Sequence, residues 1–283
     1  MNLAQQPPLP DTLLRLSTEQ SRRLNLSSAR SWTNAKEKCL TCSKANNSTY
    51  QWYAPGSRNE QHTVRYQCDC VSQYRLYRWM SWAGIGLNYQ RADWQDAIGM
   101  DDSKAMEAVL DYALNAAYHV NAGNNLILWS KQFGTGKTFL ASMLAKRLLF
   151  LGVDVYFATL DEILDLYTAS WRSETALAHF EERVRTCDVL FMDDIGREHP
   201  GRTDVVISML DGVVRRRVAN CLPIAVTTNL QKEELVAYGP NLESLLRERM
   251  IMVEVEGVDK RPAMSARAVR EHELGLTRPI VIA

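Results

Sequence analysis

Residues 126–141 read Leu126-Ile127-Leu128-Trp129-Ser130-Lys131-Gln132-Phe133-Gly134-Thr135-Gly136-Lys137-Thr138-Phe139-Leu140-Ala141. The first four are an apolar run of buried-strand type, and the last five open a helix. Gly134 and Gly136 permit backbone dihedrals and a close approach that a Cβ would block. Exposed N–H groups of the turn and of the helix N-terminus then form a cradle for anions. Lys137 adds a positive charge, and the Thr138 hydroxyl can ligate a divalent cation. The stretch therefore predicts a phosphate loop that holds ATP with Mg²⁺ through Phe133, Gly134, Thr135, Gly136, Lys137, Thr138 and Phe139. One position departs from the usual motif: the glycine expected six positions before the lysine is Lys131. It either adds charge near the phosphates or distorts the entry to the loop.

Working outward, strand-like and helical runs alternate. Strands are expected at 126–130, 153–158, 189–192, 224–228 and 251–255, and helices at 137–150, 161–170, 174–185, 203–217 and 243–249. Apolar recurrence at helical spacing also predicts a helix over 101–121. Short apolar strands alternating with helices give an α/β fold, a parallel sheet covered by helices on both faces.

Two further strands end in polar residues. Cys187-Asp188-Val189-Leu190-Phe191-Met192-Asp193-Asp194 ends in two carboxylates. At the carboxyl edge of a parallel sheet, Asp193 would hold Mg²⁺, and Asp194 would act as general base or positioner for an attacking water. The same pair can instead cap a helix. Pro223-Ile224-Ala225-Val226-Thr227-Thr228-Asn229 places Asn229 where it can bond a γ-phosphate or the lytic water, or cap the helix that follows.

The front of the chain differs in composition. Residues 1–98 carry 12 Lys and Arg against 7 Asp and Glu, and the remainder 21 against 26. A basic front end suits an acidic protein surface or a nucleic acid equally well. Cys39-Leu40-Thr41-Cys42 and Cys68-Asp69-Cys70 make two close pairs, 25 residues apart. Four thiolates so paired can form a tetrahedral Zn²⁺ site, with His62 able to replace one of them. Tyr50, Trp52, Tyr53, Tyr66, Tyr74 and Tyr77 lie among Arg58, Arg65, Arg75 and Arg78. That mixture suits a single-strand nucleic-acid clamp, a protein interface, or a small zinc-organised core. Cys187 and Cys221 are expected as buried small hydrophobes, and Arg215-Arg216-Arg217 as a solvated basic turn. The organisation expected is a polar arm at 1–35, a cysteine module and connector at 36–98 with the connector over 73–98, an ATPase domain at 99–259 and a tail at 260–283. No apolar stretch reaches the roughly 18 residues of a membrane span, and no secretory signal is visible, which predicts a cytoplasmic protein.

The three strand ends, in this order and spacing, resemble an AAA+ ATPase. Within that superfamily, Phe191-Met192-Asp193-Asp194-Ile195-Gly196, the 222–230 strand, Leu246-Arg247-Glu248-Arg249-Met250, Cys68-Asp69-Cys70 and Gly84-Ile85-Gly86-Leu87-Asn88-Tyr89 resemble the DnaC/DnaI-type loaders of replicative helicases. The resemblance implies ATP hydrolysis in a homo-oligomeric ring or spiral, with nucleotide at subunit interfaces and no helical lid. Arg249 would be the arginine finger reaching a neighbour's γ-phosphate, with Arg247 the competing candidate. The front region would bind a replicative DNA helicase. The helices at 161–185 would carry single-stranded DNA on Tyr167, Trp171 and Arg172, unless these pack the helical pair. A transposition helper ATPase of the IstB kind, which binds DNA and a transposase, has a similar core and usually lacks the cysteine module.

Overall fold

The computed structural model describes residues 69–97, 103–196, 203–238, 249–274 and 278–281. Five strands form one sheet: β1 (Asn125–Trp129), β2 (Val155–Thr159), β3 (Val189–Ile195), β4 (Ile224–Thr228) and β5 (Met250–Glu254). Their order is β2-β3-β4-β1-β5, and every neighbouring pair is parallel. The expected α/β sheet is the observed one. Strand β3 runs three residues further than its apolar run, through Asp193 and Asp194 to Ile195.

Helices lie between and before the strands: α1 (Asp69–Trp82), α2 (Leu87–Gln90), α3 (Lys104–Leu114), α4 (Ala116–Ala122), α5 (Lys137–Phe150), α6 (Leu160–Ser170), α7 (Glu174–Phe180), α8 (Thr203–Ala219), α9 (Lys232–Leu235) and α10 (Arg261–Glu273). Local chemistry sets several starts. Ser103 caps α3 by accepting from the Met106 N–H at 3.1 Å. Thr159 and Glu162 form a reciprocal capping box on α6. Helix α7 runs into a π-helical turn, Glu181–Arg185. The expected helix over 101–121 is split at Asn115 into α3 and α4.

Alternation along the strands fills both faces. Ile127, Leu190, Met192, Ile224 and Val226 meet Ile163, Leu164, Phe180, Val206, Leu210 and Val213 in one buried cluster. The intervening Leu126, Leu128, Phe191 and Ala225 are buried as well, and α5 supplies buried Leu140, Met143, Leu144 and Leu148. Burying each such side chain stabilises the fold by about 1.5–3 kcal/mol.

Three expectations are corrected. Residues 73–98 are no mere connector. Ala83, Ile85, Ala92 and Ala97 are buried, and the Phe157 N–H donates to the Ala83 carbonyl at 2.8 Å. Buried Lys146 donates to the carbonyls of Tyr89, Gln90 and Ala92, and buried Arg183 to that of Trp82. Arg217 is fully buried rather than solvated, donating to the carbonyls of Val184, Asp188 and Pro223, while Arg215 and Arg216 stay exposed. Cys187 is buried as expected, but Cys221 is exposed, in a left-handed turn (φ 52°) after α8. Of the helix expected at 243–249, residues up to 248 lie outside the described ones, and Arg249 sits in a bend before β5.

The described residues divide into two compact units. One runs from Met80 to Ser265 and holds the whole sheet; the other takes residues up to Trp79 and from Ala266 to Val281. In the second, Leu76 and Ile280 are buried, and Arg267 pairs with Glu271 at 3.0 Å.

Candidate nucleotide site

In a parallel sheet every strand ends at the same edge, so the loops after β1, β3 and β4 gather there. Those three strands are adjacent in the order β3-β4-β1. The first loop carries Gly134 at φ 73° and Gly136 at φ 104°, the latter as the residue before α5. Such dihedrals are open to glycine at no steric cost. Lys137 is buried, and its Nζ donates to the Gln132 carbonyl at 3.3 Å. The Thr135 hydroxyl is buried in the loop without a hydrogen-bond partner.

The loop meets the acidic strand end directly. The Thr138 hydroxyl donates to Asp193 Oδ1 at 3.0 Å, and the Thr227 hydroxyl donates to the same oxygen. Burial raises the Asp193 carboxyl above the ordinary carboxylate range, and neighbouring Asp194 raises it further; the two hydroxyls and Lys137 pull it down. Asp194 sits at φ 60°, where the β3–β4 register shifts, and its N–H donates to Thr227 Oγ1 at 3.0 Å.

Asn229 closes the third side. Its Nδ2 donates to the Ser130 carbonyl at 2.8 Å and the Gln132 carbonyl at 3.0 Å, tying the end of β4 to the phosphate loop. It caps no helix here: the Gln231 N–H is taken by Glu234 and the Leu230 N–H by Thr228. A hydroxyl, a carboxylate, a lysine and a glycine loop thus converge, an oxygen-and-cation donor set that fits Mg²⁺ and a polyphosphate.

Arg249 lies elsewhere. It precedes β5, and its carbonyl accepts from the N–H of Asn125, the first residue of β1. The phosphate loop follows the last residue of β1, so Arg249 belongs to the opposite edge of the sheet. Its guanidinium donates to the Ala122 carbonyl at 2.6 Å.

The sequence profile of the family described as IstB-like ATP binding protein matches residues 31–238, well over half of the chain. The chain belongs to this family. Among relatives, this IstB-like chain is 24% identical over 204 residues to the uncharacterized protein YqaM of Bacillus subtilis (strain 168), covering 68% of this chain and 64% of YqaM. It is 28% identical over 134 residues to the replicative helicase loader DnaC of Escherichia coli (strain K12), covering 47% of this chain and 51% of DnaC. The chain therefore spans between half and two thirds of the length of these relatives. Its fold resembles domain III of the Thermotoga maritima replication initiation protein DnaA, with a TM-score of 0.51 and 22% identity over 68% of this chain and 77% of that one. The likeness is one of fold, a parallel α/β sheet, in a chain of an ATP-binding family.

Three residues of the IstB-like site were not singled out from sequence. Thr227 supports Asp193; the pair of buried polar residues, Thr227 and Thr228, ending an apolar strand was its signal. The Tyr89 hydroxyl faces Thr138, Asp193 and Asp194, and burial, then the two carboxylates, hold its phenol above the usual range. Asp259 packs against Gly134. Tyr89 ends the Gly84–Tyr89 stretch that carries the family resemblance, but nothing in that stretch marks its hydroxyl, and Asp259 has no local signal; each reaches the loop through the tertiary fold.

The remaining candidates are separate from this cluster. Tyr167 packs inside the helical pair, 5.5 Å from Phe180 and 5.3 Å from Trp171 between ring centroids. Trp171 is 62% exposed and Arg172 is exposed beside it. Cys39, Cys42, Cys68 and Arg247 lie outside the described residues, as does the side chain of Cys70. Among the described residues, no helix is long and apolar enough to cross a membrane.

Proposed function

We propose that this chain is an ATP-dependent loader of a replicative DNA helicase onto single-stranded DNA, hydrolysing ATP when a neighbouring subunit supplies Arg249. The observation that carries the reading is the convergence of Lys137, Thr138, Asp193 and Asn229 on one sheet edge, with Arg249 on the other. An arginine on the far edge is remote from its own loop, so its service to a γ-phosphate requires a second subunit.

In this reading the loop amides and Lys137 bind the triphosphate, and Thr138 and Asp193 hold Mg²⁺, which offsets phosphate charge when bound. Asp194 orients the attacking water and accepts its proton. Asn229, already anchored to the loop, fixes the distance between the β4 tip and the phosphates. The partner's Arg249 leaves its Ala122 contact and stabilises charge developing on the transferred phosphoryl group. Trp171 and Arg172 offer stacking and charge for single-stranded DNA. Cys39, Cys42, Cys68 and Cys70 are read as Zn²⁺ ligands on spacing alone; metal analysis of purified protein should find about one zinc per chain.

Support for the loader role comes from the relative named a replicative helicase loader. The test is co-purification with the replicative helicase of the same cell, with and without ATP. A complex that loads the helicase on single-stranded DNA is expected; no complex under either condition sinks the loader reading. The family's IstB-like name favours a second reading, a transposition helper binding duplex DNA and a transposase. Duplex binding much tighter than single-strand binding would select it.

A further inference from the structure

A side chain at Gly134 would meet the carboxylate of Asp259. A Cβ placed there would lie 1.8 Å from Oδ1 of Asp259 and 2.5 Å from its Cγ. The Asp259 carboxylate is therefore packed on the main chain of the phosphate loop. The next residue adds a second tie, since the Lys260 N–H donates to the Gly134 carbonyl at 3.0 Å. Asp259 Oδ1 also accepts from the Arg261 N–H at 2.9 Å, at the start of α10. Upstream, the Val255 N–H donates to the Trp129 carbonyl at 2.8 Å, which fixes the exit of β5. Between these anchors residues 256–259 are exposed, and Gly257 adopts φ 134° with nothing within 4 Å of its Cβ position. The segment is a strap crossing the loop, with a glycine, Gly257, between its anchors.

An acidic side chain opposes everything else the loop offers. Glycine amides, the α5 N-terminus and Lys137 all favour negative charge. Carboxylate and phosphate seek the same field, and phosphates brought to the loop meet a like charge at Gly134. The phosphoanhydride carries several charges to the carboxylate's one, so in a direct contest the carboxylate yields.

We propose that Asp259 sets the nucleotide affinity of this loop and reports its occupancy: its carboxylate competes with the phosphates, and nucleotide binding lifts the 257–261 strap off Gly134. The inference rests on the nucleotide-site reading above and adds to it a counter-charge and a moving segment. The start of α10, joined to Asp259 through Arg261, moves with the strap.

The experiment is calorimetric titration of ATP–Mg²⁺ into the full chain, its Asp259→Asn variant and its Lys137→Ala variant, with hydrogen exchange at the Lys260 amide in the wild-type chain. Asparagine keeps an Oδ1 acceptor for Arg261 N–H while removing the charge; Asp259→Ser serves if the first variant fails to fold. The expected result is about tenfold tighter ATP binding in Asp259→Asn at low salt, narrowing as salt is raised, and faster Lys260 exchange once ATP is added. Unchanged affinity in Asp259→Asn overturns the inference. Weaker affinity overturns it too, by making Asp259 a ligand of the metal. Lys260 exchange that ATP leaves unchanged or slows also overturns it. In each of these cases wild-type binding abolished by Lys137→Ala leaves the nucleotide site standing. Wild-type protein that takes up no ATP removes both readings.

Discussion

Asp193 holds two hydroxyl donors on one oxygen while lying almost out of water. Its carboxyl is raised above the ordinary range chiefly by burial. The native state therefore binds this proton more tightly than the unfolded chain does. That contribution to stability is present below the ordinary carboxylate pKa and is lost as pH rises through the elevated one. Above the elevated pKa the ionised group destabilises the metal-free protein relative to its protonated form. Asp193→Asn keeps an oxygen acceptor for Thr138 and Thr227, so it should raise the melting temperature of the metal-free protein at alkaline pH. The gain should fade as pH falls through the elevated pKa and be gone below the ordinary carboxylate range, while ATP turnover drops by at least about a hundredfold. A melting temperature that falls at alkaline pH would contradict the burial argument. The motif residues were legible because the spacing of Gly134, Gly136, Lys137 and Thr138 after an apolar strand is local chemistry. Arg217 was misread because a triple-arginine run looks solvated. Its position one helical turn after Val213 and Val214, both buried, was the overlooked signal.

At the scale of elements, buried cations join parts of the chain that have no shared sequence pattern. Arg217 on α8 bonds carbonyls before β3 and before β4. Arg217→Ala removes the one donor these carbonyls share and leaves a cavity behind, while the Pro223 carbonyl keeps the Leu190 N–H, so it should cost about 3 kcal/mol in urea unfolding. Lysine, with one ammonium, should recover less than half of that. Gly84 is the complementary case. It sits at φ 80°, and a Cβ there would lie 1.9 Å from the Phe157 carbonyl oxygen. Gly84→Ala should destabilise by roughly 3 kcal/mol through the backbone clash and the left-handed dihedral, read from the same unfolding curve. The strands and the helix after the phosphate loop were legible because their apolar runs have the period of the element they form. The role of residues 80–97 was not, because aromatic and polar residues without strong period become part of the core only once Lys146, Arg183 and Gly84 fix them against the sheet.

For the whole molecule, the two edges of the sheet divide the chemistry. The phosphate loop stands at one and Arg249 at the other, so the subunit is half of two sites in the proposed assembly. Arg249→Ala should keep ATP binding and lose turnover by about a thousandfold. Mixed with Lys137→Ala, which retains Arg249, it should regain a measurable fraction of wild-type turnover, since each variant supplies what the other lacks. Failure to complement, with both variants folded and associating, would place the arginine outside the reaction. Underneath all of this lies the claim that the tips of β1, β3 and β4 form one polyphosphate site. Calorimetry of ATP–Mg²⁺ with the full chain tests it most directly. Saturable binding in the micromolar range, abolished in Lys137→Ala, is the predicted result; no uptake at millimolar ATP–Mg²⁺ by folded wild-type protein, or equal uptake by the variant, would contradict it.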